Sequence, residues 1–353
     1  MSKFRTFLER KNVRPSAKLY FVDAMSTMAL GLFASLLIGT IFKTLGQYTH
    51  LQIFTDIAGY ATKATGAALG VAIAYALKAP ALVMLSAAVV GMIGNDLGTT
   101  ITATGAEPLT VAAGPAGAFL ASVVAVELGK IVSKETHVDI LVTPVVTILS
   151  GALLAKLVCP AVAYGMYYLG AFINTATEMQ PQLMGMLVSV VVGIILTLPI
   201  SSAAICAMIG ITGLAGGAAT AGCCAQMVGF AVISFRENRW GGLVAQGLGT
   251  SMLQMGNIVK NPRIWIPATL ASVITGPIST MVFKLQCTGV SAGMGTCGLV
   301  GPLGILADMG SSPRVWLGIG IVCIVLPAVL SLAFSELLRK LGWIRSGDLK
   351  LNL

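Results

Sequence analysis

Residues 94–108 read Gly-Asn-Asp-Leu-Gly-Thr-Thr-Ile-Thr-Ala-Thr-Gly-Ala-Glu-Pro and interrupt a long apolar stretch. An amide (Asn95), two carboxylates (Asp96 and Glu107) and the hydroxyls of Thr99, Thr100, Thr102 and Thr104 fall close together there. Oxygen and amide groups of this kind suit a sugar hydroxyl, a proton relay or a hard cation such as sodium. Polar, glycine-loosened backbone at membrane depth is tolerated only where protein or water satisfies it. Two plainer readings stand beside this one. The string also suits a solvated loop between helices, and Glu107-Pro108 also suits ordinary N-terminal capping of the next helix.

A second constellation is Gln246, Thr250, Gln254 and Asn257, spaced i, i+4, i+8 and i+11. On a continuous helix these share one face, opposite Leu248, Met252, Met255 and Val259. Such a stripe lines a solute path, or is the wet side of a surface helix anchored by Trp240. A third is the glycine-rich run 288–302, which carries Ser291 and Thr296 and reads as a re-entrant hairpin offering backbone groups to a cavity. The glycines of 210–217 are explained by close helix packing. No Gly-Lys-Ser/Thr follows either run, so neither is a phosphate-binding loop. His50 and His137 are the only histidines and fall in expected loops, and seven cysteines lie in apolar or glycine-rich sequence. No catalytic residue, metal site or cofactor is expected, beyond a coupling sodium ion or proton if the chain is a secondary transporter.

The elements that must hold these groups follow from composition. The chain has 353 residues, 56% hydrophobic and 10% charged, with a mean hydropathy of +0.90. That composition belongs to an all-α, polytopic helical membrane protein embedded in a lipid bilayer, with no polar block long enough for a soluble domain. The net charge of +9 gathers at the two ends of the chain. The pattern places both termini in the cytoplasm and gives no sign of nucleic-acid binding.

Full spans are expected near 19–46, 57–77, 111–132, 138–158, 183–199, 222–235, 264–285 and 314–338, with broken spans at 80–110 and 201–221. The first reads as a spanning segment rather than a cleaved signal. The count is about ten, with 241–259 left on the cytoplasmic side or re-entrant. Similarity between Thr143-Pro144…Gly151 and Ile266-Pro267…Gly276 suggests parallel repeat units, 57–158 and 183–285, flanked by the spans 19–46 and 314–338.

Three strings carry a family resemblance: Gly249-Thr-Ser-Met-Leu-Gln254, Asn257-Ile-Val-Lys-Asn-Pro262 with Trp265-Ile-Pro267, and Gly293-Met-Gly-Thr-Cys-Gly-Leu-Val-Gly-Pro302. In these the chain resembles the IIC-like membrane proteins of the bacterial phosphotransferase system, in the branch that includes perfringolysin-regulator-like proteins. The resemblance covers nearly the whole chain. It implies a single IIC-like transmembrane domain over 1–353 without IIA or IIB domains, a homodimer in the bacterial plasma membrane, and separate IIA and IIB partners that deliver phosphate. Members of the wider system pass sugar and are similar in using an intramembrane histidine and a Glu-Pro element. Glu107-Pro108 resembles the latter, and no histidine here matches the former. The leading expectation is the translocating subunit for a sugar or sugar-like solute. Its rivals are an ion-coupled transporter and a solute-sensing regulator without flux.

Overall fold

Helix packing in this protein begins with residues that have almost no side chain. A computed structural model of the chain describes residues 3–13, 16–101, 109–177 and 179–351. It divides into two compact units, one comprising the chain up to Leu36 with Gly59–Met166, the other Leu37–Ala58 with the chain from Tyr167 onward.

In the first unit, Gly66 and Gly70 lie one turn apart on the Thr65–Ala76 helix and face Ala87 and Gly91 of the Ala81–Asp96 helix. A Cβ at Gly70 would stand 1.9 Å from the Ala87 carbonyl oxygen, so only glycine allows the two backbones to meet. Gly94 and Gly117 join the Ala81–Asp96 and Gly114–Val132 helices in the same way. Apolar side chains gain little from leaving lipid, so close backbone packing of this kind carries much of the association. Val90, Ala113, Ala121, Ala125, Ala155 and Cys159 fill the small core that results.

One charged pair is buried in this unit. Lys130 Nζ donates to the Leu77 carbonyl at 3.0 Å and lies 3.0 Å from Glu127 Oε2, with the lysine side chain wholly enclosed. Tyr20 donates its hydroxyl to Glu127 Oε1 at 3.3 Å. Near the start of the chain, Arg10 and Lys11 both pair with Glu135, and the Lys11 hydrogen bond holds that carboxyl below its ordinary range.

The second unit is built around the Gly213–Ile233 helix, which is apolar on every side and buried along nearly all its length. Gly222 admits the Ser189 carbonyl of the Pro181–Thr197 helix, where a Cβ would be only 1.9 Å away. Gly276 of the Ile266–Pro277 helix accepts Gly185 of the same Pro181–Thr197 helix with equal closeness. All seven cysteines of the chain are buried and free.

The helical bundle agrees with the expected class, and some element boundaries change. Among the described residues six helices are long and apolar enough to cross a membrane, or seven if the pair Gln52–Lys63 and Thr65–Ala76, bent by 48°, forms one span. Three apolar helices are shorter: Ala81–Asp96, Pro181–Thr197 and Cys297–Met309. The all-α class holds with one small exception. After Ala81–Asp96 the chain is not irregular but forms an antiparallel ribbon, β1 (Gly98–Ile101) against β2 (Leu109–Ala112), paired from Gly98↔Ala112 to Ile101↔Leu109. The β-branched residues Thr99, Thr100, Ile101, Thr110 and Val111 favour that pleated pairing.

Residues 213–221, expected in a broken span, instead belong to the helix through Ile233; the break is confined to Ile209–Thr212, where Gly210 has a φ of +60°. The helix begun at Asp139 continues to Thr177, well beyond the expected end near 158, carrying Pro144 and Pro160 within it.

Gly222→Ala should destabilise the protein by about 2–3 kcal/mol or more, since backbone rather than a movable side chain blocks the new methyl. Gly59→Ala, with open space around it, should be neutral or slightly stabilising. Thermal unfolding of the detergent-purified variants reads both. Lys130→Met should cost about 3–5 kcal/mol by leaving Glu127 buried without its cation, and adding Glu127→Leu should recover most of that loss. Denaturant unfolding of the single and double variants checks the pair.

Candidate functional site

Asn95 and Asp96 close the Ala81–Asp96 helix, and β1 begins two residues later. Asn95 Nδ2 donates to Asp96 Oδ1 at 2.7 Å, which orients a carboxylate that is otherwise exposed. A helix C-terminus is the negative end of the macrodipole, so this carboxylate is placed where a cation or a hydrogen-bond donor would be welcome. No described residue forms an ion pair with it. On the adjoining ribbon Thr99 is half-buried, and the hydroxyls of Thr100 and Thr110 meet across the strands at 3.2 Å. The edge therefore offers one free carboxylate, an amide and a short row of hydroxyls. Glu107, with Thr102 and Thr104, lies outside the described residues.

A cavity of about 240 Å³ opens in the same unit, lined by Asn12, Ser16, Leu19, Ala76, Leu77 and Lys78. It lies near the start of the Ala81–Asp96 helix, whereas Asp96 ends that helix, about 24 Å along its axis. It therefore belongs to different chemistry from the Asp96 edge.

The remaining candidates belong to the second unit. The continuous helix expected across 241–259 does not form. Arg239 adopts a φ of +52°, a π-helical turn spans Ala245–Gly249, Thr250 is extended, and a 3-10 turn at Ser251–Gln254 leads into the Met255–Lys260 helix. The shared face of Gln246, Thr250, Gln254 and Asn257 is lost with it, and their polar atoms turn to partners within the protein. Gln246 Nε2 donates to Ser234 Oγ at 2.8 Å and to the Gly242 carbonyl at 2.9 Å, while its Oε1 accepts from Gln254 Nε2 at 2.9 Å. Gln254 also donates to the Leu349 carbonyl, and its Oε1 accepts from Asn257 Nδ2 at 2.8 Å. Thr250 Oγ1 accepts from Met252 N and so starts the 3-10 turn. Both glutamines are fully buried.

The 288–302 run contains two short helical turns, Gly289–Ala292 and Cys297–Leu299, with positive φ at Gly289, Gly295, Gly298 and Leu299. Thr296 is buried and donates to the Gly247 carbonyl, so it pins this run to the π-helical turn. Ser291 is half-buried.

A further polar group escaped sequence reasoning. Gln226, fully buried on the Gly213–Ile233 helix, accepts from Trp265 Nε1 at 3.0 Å and donates to Thr269 Oγ1 at 3.3 Å. Thr197 donates to the same Gln226 oxygen at 3.4 Å and shares a 2.8 Å hydrogen bond with Ser251. A lone glutamine in an otherwise apolar run was the only sequence signal for it. The Glu127–Lys130 pair, three residues apart on an apolar helix, could have been read the same way.

Among the described residues no group of three or more His, Cys, Asp or Glu side chains is arranged to hold a metal ion. Both histidines are exposed and lie between helices rather than within them.

No curated protein matches the chain. A family model does, that of the phosphotransferase system, EIIC, and it matches residues 22–351. Membership in that family implies association with other phosphotransferase components and a sugar substrate. With nearly the whole chain matched and at least six helices able to cross a bilayer, the protein belongs to the phosphotransferase-system EIIC family and is an integral membrane subunit of such a transport system.

Proposed function

We propose that this subunit carries a sugar or sugar-like solute across the bacterial plasma membrane, and that the edge formed by Asn95, Asp96, Thr99 and Thr100 supplies its first polar contacts. One observation carries the reading: Asp96 is an exposed carboxylate at a helix C-terminus, held by Asn95 and unpaired among the described residues. A carboxylate beside an amide and hydroxyls accepts and donates hydrogen bonds in the mixed pattern that sugar hydroxyls require. Sites built to bond hydroxyls also reject analogues that lack them strongly. Glu107 is the natural addition to this set because it follows within the same polar stretch. Gln246 and Gln254 are left out, because their amide groups are already engaged inside the second unit. Phosphate would come from separate IIA and IIB proteins.

Ion-coupled transport without phosphate is the second reading, and a specific observation favours it. The chain has only two histidines, and both are exposed between helices. In that case Asp96 would bind the coupling sodium ion or proton.

Proteoliposomes distinguish the two. With IIA, IIB and phosphoenolpyruvate supplied, the first reading expects uptake of a phosphorylated sugar that does not need an ion gradient. Uptake that persists without phosphoenolpyruvate and collapses with the gradient selects the second. Asp96→Asn should weaken solute binding about tenfold to a hundredfold, the range for losing a charge-assisted hydrogen bond, while leaving thermal stability of the empty protein unchanged. Unaltered affinity in a ligand-induced thermal-shift titration would remove Asp96 from the site.

A further inference from the structure

Four side-chain amides of the second unit converge on the last described residues of the chain. Asn238 Nδ2 donates to the Leu349 carbonyl at 2.8 Å, and Asn238 Oδ1 accepts from Leu351 N at 2.8 Å. One amide group thus bonds the C=O of one residue and the N–H two positions on, as a neighbouring β-strand would. The second lone pair of the Leu349 carbonyl is taken by Gln254 Nε2 at 3.0 Å. Gln246 holds Gln254 in place, and Asn257 Nδ2 donates to the Lys350 carbonyl at 2.9 Å. Asn261 Nδ2 reaches the Trp343 carbonyl at 3.0 Å and Asp348 Oδ2 at 2.7 Å.

Most of these bonds go to backbone atoms. They specify an extended or turned main chain, and the register is set by two enclosed side chains, Ile344 and Leu349. Arg345, Ser346, Gly347 and Lys350 between and beside them are exposed.

We infer that Asn238, Gln254, Asn257 and Asn261 form a backbone-reading peptide groove, and that the segment 343–351 is its detachable occupant. Few side chains of the segment are buried, so the gain from docking is set closely against the entropy of ordering it. The groove is also built from the broken stretch 245–254, whose Gln254 loses the Leu349 carbonyl when the segment leaves, while Gln246 reaches the segment only through Gln254. Departure would therefore loosen that stretch and leave the helices beneath it intact. The inference stands on these contacts alone and does not depend on which solute the protein carries.

Hydrogen exchange on the full chain in nanodiscs tests it. Asn238→Ala should speed exchange at Leu351 about tenfold, and Leu349→Asp should speed it across 344–351 by about a hundredfold or more. Exchange across 245–254 should rise with the tail in both variants, while Pro181–Thr197 and Gly213–Ile233 stay protected. A fluorescent peptide of residues 343–351 should then bind the Leu349→Asp protein saturably, and the same peptide carrying Leu349→Asp should not. The inference is overturned if the tail exchanges freely in the unaltered protein, or if 245–254 does not respond. It is equally overturned if the two core helices lose protection along with the tail, or if the peptide fails to bind. Protection of the tail that depends on protein concentration would assign the occupant to a second copy and overturn the arrangement within one chain.

Discussion

Backbone-to-backbone contact at glycine is the constraint on which the rest of this structure depends. In water, a helix pair is held by the apolar area it removes from solvent. In a bilayer that gain is small, so association rests on dispersion between closely fitted surfaces and on polar bonds between helices. Gly70 against Ala87, and Gly222 against Ser189, bring carbonyl oxygens to within 2 Å of where a Cβ would stand. At that separation every neighbouring residue is positioned by main chain rather than by side-chain fit. The Ala81–Asp96 helix is pinned at Gly91 and Gly94, so the carboxylate that ends it projects from a rigid support.

The same apolar setting governs the polar groups. A buried amide or charge without a partner is costly, and the protein answers with internal pairing. Lys130 has Leu77 and Glu127, Gln226 has Trp265 and Thr269, and Gln246 has Ser234 and Gly242. Ser189 on the Pro181–Thr197 helix donates across to the Ser272 carbonyl at 2.7 Å. Against this background Asp96 differs in kind. It is solvated, its one described hydrogen bond comes from the adjacent residue, and it sits at the end of the dipole that repels it.

Helix existence was legible in the sequence because spanning length and apolar composition are local properties. Break positions were less so. Glycine disfavours helix in water, and the stretch 201–221 therefore read as a broken span even though close packing accounted for the glycines of 210–217. Yet Gly216 and Gly217 are helical because the carbonyls of Cys287 and Leu285 press against them, leaving no space for any other residue. That cause lies about seventy residues away in the chain, and no window of local sequence contains it. The β1/β2 ribbon escaped for a different reason: four-residue strands of threonine and aliphatic residues look the same as polar loop chemistry until their partner is known.

The polar stripe shows most clearly why a periodic pattern is not a structure. Gln246, Thr250, Gln254 and Asn257 recur at helical spacing, and a helix over 241–259 would satisfy its interior backbone groups locally. The chain instead gives up that helix at Thr250, at a cost in backbone hydrogen bonds that something must offset. The offsets are visible and are all tertiary. Thr250 caps the turn that follows, Ser251 joins Thr197 in the core, Thr296 bonds the Gly247 carbonyl, and Gln254 and Asn257 hold the C-terminal segment. Remove those partners and nothing offsets the backbone hydrogen bonds given up at Thr250. The break at residues 245–254 is therefore conditional on its contacts, whereas the glycine-packed helices are fixed by the main chain itself. A protein that must move solute needs both kinds of element, and its sequence distributes them by where it spends glycine and where it spends amides.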